Sequence, residues 1–364
     1  MRRIILPMLL TSALLIRGPA LAADRFVGDT SCSSSGCHGG AGDKNQSLTW
    51  AAKDYHAKAK AILLTARSQR MAETLKIPDA ATSPKCLTCH SPMEAVDSAL
   101  LVTGVKADQA VSCESCHGPA ERWLRSHTRP DFTHGQRVAD GMRDLSTLVN
   151  RATACVACHQ NLDPDILESG HPELVFELDG QIRAEPPHWQ EKTQWLGPQI
   201  WLAGQAAAWR EINWQLERQP YSVLQERESA LNWLLSYLTT HLPELPEFNP
   251  PKNDSIAREK YARNYAERAA AFSWNRSLAT RTFSMLAASG KELSESPDLA
   301  ARRAEVLVLA LDRILPVADF PPEKKARIET ILNALFQPVQ ILAEFNSKTF
   351  LTSLTELTQT VQAD

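Results

Sequence analysis

Apolar residues recur at steps of three and four positions through most of the chain from residue 191 to residue 364. This spacing puts apolar side chains on one face of an α-helix, so it predicts a series of amphipathic helices. Prolines and glycines separate the periodic segments, and five or six helices packed as a bundle are expected. The segments are IWLAGQAAAWREINWQL, LNWLLSYL, the run from Ile256 to Leu286, LAARRAEVLVLALDRIL and IETILNALFQPVQILAEF.

Residues 24–190 lack such long periodic runs and contain many Gly, Pro and Ser breaks. One helix is predicted from about Thr49 to Arg70, where Ala, Lys and Leu are frequent. The predicted fold is therefore mainly α, with little regular structure in the first part and a helical bundle in the second. We expect a boundary near residue 190, giving a domain at 23–190 and a helical domain at 191–364.

All eight cysteines lie in the first part, in four pairs, and each pair is followed directly by a histidine. C-x-x-C-H is the attachment signature of c-type haem, in which both thiols bind the porphyrin and the histidine binds its iron. The sequence therefore predicts four covalently attached haems c. The predicted attachment residues are Cys32 and Cys37, Cys86 and Cys89, Cys113 and Cys116, and Cys155 and Cys158, and the iron-binding histidines are His38, His90, His117 and His159.

The first pair departs from the signature, because CSSSGCH places four residues between its cysteines. The two additional residues are expected to loop out, which Ser and Gly allow. Zinc sites, redox dithiols and disulfides also use closely spaced cysteines. None of them requires a histidine after the second cysteine, so haem is the favoured interpretation at all four pairs.

The amino terminus has the features of a secretory signal peptide. Two arginines precede an apolar run from Ile4 to Ile16, and Ala20-Leu21-Ala22 is an A-x-A cleavage site. The run is shorter than the about 20 residues that span a bilayer. We expect a signal peptide at residues 1–22, a mature chain without a membrane span, and a periplasmic location.

Each haem iron takes an axial ligand on both faces, so the four motif histidines leave four positions to fill. Six further histidines are available. The predicted second ligands are His56, His127, His171 and His188, with His134 in reserve and His241 expected to be structural. Methionine is a rival ligand, but Met93 is only three residues from His90. Spacing does not indicate which histidine serves which iron.

The third and fourth motifs, VSCESCHGPAERWL and CVACHQN followed by SGHPELVFELD, resemble the cytochrome c-554 family of tetrahaem periplasmic cytochromes over about residues 26–190. The resemblance implies a mostly helical haem fold with stacked haem pairs, electron transfer, and axial histidines at positions such as His127 and His171. The resemblance also implies that one haem can lack a second protein ligand. The widened first motif and the long helical tail depart from the family pattern.

Charge adds limits on partners. The chain has 39 Lys and Arg against 42 Asp and Glu, with no basic stripe, so nucleic-acid binding is not expected. Acidic residues outnumber basic ones in residues 24–190, which favours a basic redox partner. The favoured function is electron transfer between redox proteins. Two alternatives stay open: an oxidoreductase that uses one open haem on a small nitrogen or sulfur compound, and a subunit whose helical part docks to a membrane oxidoreductase.

Overall fold

The computed structural model describes residues 24–191, 193–252, 254–293 and 296–363, so the predicted signal peptide at 1–22 lies outside the described residues. Within these ranges the chain forms seventeen α-helices, short 3₁₀ turns and no β-strand, apart from one isolated bridge between Phe26 and Leu101. The mainly α prediction is confirmed. None of the described helices is long and apolar enough to cross a membrane.

The first ten helices are short and belong to the part of the chain that carries the cysteines. They are α1 Gln46–Lys53, α2 Ala59–Ile62, α3 Ala66–Leu75, α4 Pro84–His90, α5 Pro92–Ala95, α6 Cys113–His117, α7 His134–Ala139, α8 Leu148–His159, α9 Pro164–Glu168 and α10 Leu178–Ala184. Their own side-chain core is small, a cluster of Leu63, Ala72, Ala80, Ala81 and Leu87.

The single helix predicted from Thr49 to Arg70 is wrong, since the chain forms α1, a 3₁₀ turn at Tyr55–Lys58, α2 and α3 instead. Two polar side chains cause the breaks. The Asp54 carboxylate accepts a hydrogen bond from the backbone N–H of His56, and the Thr65 hydroxyl accepts one from Ser68. Such local side-chain acceptors compete with helical hydrogen bonds and favour a new helix start.

The remaining seven helices are long and form the bundle. They are α11 Gly197–Leu216, α12 Ser222–His241, α13 Ser255–Ala271, α14 Arg276–Ala287, α15 Pro297–Ile314, α16 Pro322–Phe336 and α17 Ser347–Gln362. The predicted count of five or six is too low for two reasons. The run from Ile256 to Leu286 is divided where Asn275 caps α14 through the Leu278 N–H, and α17 was not predicted.

One continuous hydrophobic core joins the two parts of the chain. Leu148 and Val156 from α8, with Phe176 and Leu178, pack into the same core as the bundle helices. The backbone approach is close, because a Cβ on Gly204 of α11 would lie 2.6 Å from the Leu178 Cβ. The boundary near residue 190 stays a prediction, but the packing of the described residues continues across it.

Candidate haem sites

Three of the four cysteine motifs lie on helices, at the end of α4, over all of α6 and at the end of α8. In a helix, positions i, i+3 and i+4 share one face. The two thiols and the following imidazole of each C-x-x-C-H motif therefore lie on the same side of one helical turn. This is the arrangement that two thioether bonds and an iron bond to the same porphyrin require.

The widened first motif is not helical throughout. A 3₁₀ turn at Asp29–Ser31 leads into consecutive turns, and the His38 N–H donates to the Cys32 carbonyl over 3.1 Å. Lys44 Nζ also donates to the Gly36 carbonyl over 2.8 Å and closes the loop from outside. The additional residues are thus absorbed in a turn that keeps His38 beside Cys32.

None of the eight cysteines forms a disulfide, and cysteines from different motifs are neighbours. Cys32 shares a hydrogen bond with Cys113, and this contact, followed by burial, raises the pKa of Cys32. Cys158 shares one with Cys89, with the same effect on the pKa of Cys158. The first motif therefore lies against the third, and the second against the fourth.

The third and fourth motifs are also close to each other. Burial raises the pKa of Cys116 to about 12, and the charge of Cys158 adds to the effect. Burial likewise raises the pKa of Cys155 to about 12, with the charge of Cys116 as the next cause. The order of neighbouring motifs in space is therefore first, third, fourth and second.

Three of the four motif histidines each lie opposite one further histidine. Two imidazoles that bind one iron from opposite faces, each through a nitrogen about 2 Å from the metal, have ring centroids about 6 Å apart. The observed separations fit this distance. The pairs are His38 with His127 at 6.2 Å, His56 with His159 at 6.0 Å, and His90 with His171 at 6.5 Å.

The hydrogen bonds of these rings also fit iron binding, because five of the six use Nδ1 to contact an oxygen acceptor. An acceptor at Nδ1 fixes the proton there and leaves Nε2 free for a metal. The contacts are His38 with Gln46 Oε1 at 3.1 Å, His56 with Asp54 Oδ1 at 3.0 Å, His90 with the Ala59 carbonyl at 3.0 Å, His127 with the Trp123 carbonyl at 3.2 Å, and His171 with the Pro172 carbonyl at 2.8 Å.

The Asp54 carboxylate is the most buried of these acceptors, at 3% exposure. Its hydrogen bond to His56 raises the pKa of that imidazole. Sequence reasoning missed Asp54, although it stands two positions before a predicted ligand in KDYH. A short acidic side chain next to a candidate metal-binding histidine is the signal that could have found it.

The fourth motif histidine, His117, has a different environment. Burial lowers the pKa of His117 to about 4, and among the charges acting on it that of His188 comes first. His188 Nδ1 is buried without a hydrogen-bond partner. Its ring lies beside two carboxylates, with one ligand atom each of Asp54, Glu185 and His188 within 4.8 Å of one another. The structure thus brings His188 toward the third motif but does not pair its ring with His117.

The other candidates lie apart from the histidine pairs. His134 Nε2 contacts Asp144 Oδ1 at 3.1 Å, so the nitrogen that would bind iron is occupied. His241 Nδ1 donates to the Tyr237 carbonyl over 2.8 Å, and its ring packs on the Tyr237 ring. The buried Met93 sulfur accepts a hydrogen bond from the Ser112 hydroxyl.

Thiol pairs followed directly by histidine, with iron-compatible imidazoles opposite them, are the sites of a c-type cytochrome, and this is the class of the protein. Residues 31–118 match the family described as cytochrome c554 and c-prime. The predicted resemblance is confirmed over that segment, which includes the first three motifs. From residue 119 onward the resemblance stays a prediction. No curated protein and no solved structure matches the chain.

Proposed function

We propose that the protein is a periplasmic tetrahaem cytochrome c that transfers electrons between redox partners. The observation that carries this proposal is the three histidine pairs with ring centroids 6.0–6.5 Å apart, each including one motif histidine. Two imidazoles on one iron leave no position for a substrate, and they keep the iron geometry the same in both oxidation states. That arrangement suits a carrier rather than a catalyst.

The pairs assign ligands to three sites. The first motif would use His38 and His127, the second His90 and His171, and the fourth His159 and His56. The third motif would use His117 with His188, the one predicted second ligand that remains, whose buried Nδ1 has no hydrogen-bond partner. The bound haems supply the one-electron redox chemistry. The protein holds five of these imidazoles by an Nδ1 acceptor and would attach each porphyrin through two thiols.

The contacts between motifs support an order for the electron path. Cys32 shares a hydrogen bond with Cys113, Cys116 lies close enough to Cys158 for the charge of Cys158 to raise its pKa, and Cys158 shares a hydrogen bond with Cys89. The attached porphyrins would then neighbour one another in the order first, third, fourth and second. The first and second sites would be the two ends, where a donor and an acceptor are expected to dock.

One observation favours the alternative, an oxidoreductase with one open haem. His117 belongs to none of the described ring pairs, so the third site is the one where a small molecule could reach iron. The reduced protein distinguishes the two functions. A carrier shows four low-spin haems that do not bind carbon monoxide, whereas an oxidoreductase shows one haem that does.

The test uses the holoprotein exported from a host with haem-attachment machinery. Mass spectrometry is expected to give the mature chain plus four haems, and paramagnetic resonance four low-spin irons. His127→Ala, His56→Ala and His171→Ala are each expected to convert one iron to high spin. His134→Ala and His241→Ala are the controls and should change none. A chain without added mass, or ligand variants that all stay low-spin, would overturn the proposal.

A further inference from the structure

The loop that carries His171 connects α9 to α10 and contacts both the cysteine-bearing part of the chain and the bundle. Gly170 adopts a φ of +101°, which turns the backbone just before the histidine. Arg67 donates to the Gly170 carbonyl over 2.7 Å. After His171 the backbone forms no helix until α10, and Phe176 and Leu178 enter the core shared with the bundle. The end of the loop is thus anchored in the core that the bundle shares.

Two arginines of the bundle hold this loop directly after the histidine. Arg302 of α15 donates to both carboxylate oxygens of Glu173, over 2.6 and 2.8 Å. Arg227 of α12 donates to the Leu174 carbonyl. Arg302 is only 5% exposed, so its charge lies in the protein interior. A bidentate pair at such a site fixes direction as well as distance, because both partners are planar.

The covalent geometry connects Glu173 to the imidazole. His171 Nδ1 contacts the Pro172 carbonyl at 2.8 Å, and that carbonyl belongs to the peptide unit joining Pro172 to Glu173. A peptide unit is planar, and the proline ring restricts φ at position 172. The position of Glu173 therefore sets the direction of the acceptor that orients the His171 ring.

A buried charge at this point is not needed for packing alone. Arg302 also lies 3.8 Å from Glu226 and 3.6 Å from Glu305, so one guanidinium serves three carboxylates. Desolvating such a group costs free energy that apolar residues of similar volume would avoid. The benefit that the geometry supports is orientation, since the loop partner of Arg302 is two residues from a proposed iron ligand.

We infer that the helical bundle positions the second axial ligand of the second haem site, with Arg302 holding His171 through Glu173. Arg302 is a positioning residue, because it touches Glu173 and not the imidazole. The inference rests on the proposed function, in which His171 binds the same iron as His90. It gives the bundle a role inside the cytochrome itself: this site is complete only when the bundle is docked.

The test compares the spin state of the holoprotein in two variants. Glu173→Ala releases the loop while Arg302 keeps Glu226 and Glu305, so no charged group of the bundle is left without a partner. Arg302→Gln removes the other partner of the same contact. Each is expected to convert up to one iron in four to high spin, with a matching gain in carbon monoxide binding. Added imidazole should restore the low-spin state, and an unchanged unfolding midpoint shows that the fold is retained.

The matched control is Arg313→Gln, which removes a comparable contact from the same segment, since Arg313 Nε lies 2.6 Å from Glu177 Oε2. It should leave every iron low-spin. High spin in His171→Ala but not in Glu173→Ala or Arg302→Gln would overturn the inference and leave the proposed function intact. High spin in Glu173→Ala, Arg302→Gln and Arg313→Gln alike would also overturn the inference, because it would show that any change in this region loosens the fold. An unchanged His171→Ala would instead refute the ligand assignment itself.

Discussion

The imidazole rings of His38 and His127 face each other with an angle of 14° between their planes, although the two residues are distant in the sequence. The rings of His56 and His159 are at almost the same separation but at 89°, and those of His90 and His171 are at 61°. Separation and angle are thus set independently. The separation fits an iron in all three pairs, whereas the angle differs from site to site.

The ring angles predict different paramagnetic resonance signals from the oxidised protein. Parallel imidazoles donate electrons into the same iron d orbital and separate it in energy from its partner, whereas perpendicular imidazoles act on both orbitals alike. We expect a rhombic low-spin signal from the site of His38 and His127, and a signal with a larger maximum g value from the site of His56 and His159. The spectrum of the frozen, oxidised holoprotein checks this.

Two variants assign these signals. His127→Ala should remove the rhombic signal alone, and His56→Ala should remove the signal with the larger maximum g value alone. The reverse assignment, or one type of signal throughout, would contradict the ring geometry.

The cysteines and the motif histidines could be predicted because attachment to one porphyrin requires them within a few positions of one another. The pairs of imidazoles could not be predicted, since they form between segments that are far apart in the chain. Composition narrowed the choice to a few histidines, and the structure places three of the four predicted second ligands, His56, His127 and His171, opposite a motif histidine. His188 is the exception, because its neighbours include two carboxylates that spacing did not reveal.

The bundle was predicted from helical periodicity, and its errors have local causes. The helix α17 buries Phe350, Leu354 and Leu357 at the expected spacing, but many threonines separate them and weaken the pattern. Nothing in the sequence pattern indicates the contact of Arg302 with Glu173. Charged residues on a periodic helix read as solvent-exposed, and only the packed structure shows this one to be buried.

Asp54→Asn is expected to raise the reduction potential of the haem of the fourth motif most, and that of the third motif less, because Asp54 contacts His56 and also lies near His188. The buried carboxylate accepts from His56 Nδ1, and its negative charge stabilises the oxidised iron more than the reduced iron. Changes to such partners alter metal affinity about 10–100-fold, and a change of that size confined to the oxidised iron shifts a one-electron potential by about 60–120 mV. Potentiometric titration followed by visible spectra measures the shift.

The control for that titration is Asp144→Asn, because Asp144 also contacts a histidine, His134, but outside the ring pairs. All four potentials should stay as they are in the unaltered protein. A shift of similar size in both variants would mean that the effect is general electrostatics rather than ligand tuning.

Glu114→Gln is expected to destabilise the folded protein by about 3 kcal/mol, since buried donors lose a charged acceptor. The Glu114 carboxylate, 1% exposed within the third motif, accepts from the backbone N–H groups of Val27, Gly28 and Ala120, the last two over 2.7 Å. A glutamine has one acceptor oxygen for these donors and would turn its own N–H₂ toward the others. Denaturant unfolding of the holoprotein measures the change.

The matched control is Glu121→Gln, an exposed carboxylate that contacts Arg25 nearby. Solvent screens such a pair, so little change in the unfolding midpoint is expected. Equal losses in the two variants would show that the three buried hydrogen bonds of Glu114 contribute nothing specific.

A chain that ends at residue 190 is expected to be much less stable than the whole protein, even with its haems attached. Phe176 and Leu178 are 4% and 0% exposed, and Leu148 and Val156 are 3% and 0% exposed, in the core shared with the bundle. Each such side chain gains about 1.5–3 kcal/mol from burial. Together they approach the about 5–15 kcal/mol by which a typical domain is stable. Removing the bundle also eliminates the ion pair between Arg302 and Glu173.

Limited proteolysis of the two exported chains measures this difference, and Leu178→Ala in the whole protein provides the graded comparison. That substitution alone should cost about 2–5 kcal/mol, because α11 packs directly on the residue at Gly204. We expect protease sensitivity to increase from the whole protein to Leu178→Ala and again to the truncated chain. A truncated chain as resistant as the whole protein would mean that residues 24–190 fold independently, and that the shared core adds little to the stability of the haem sites.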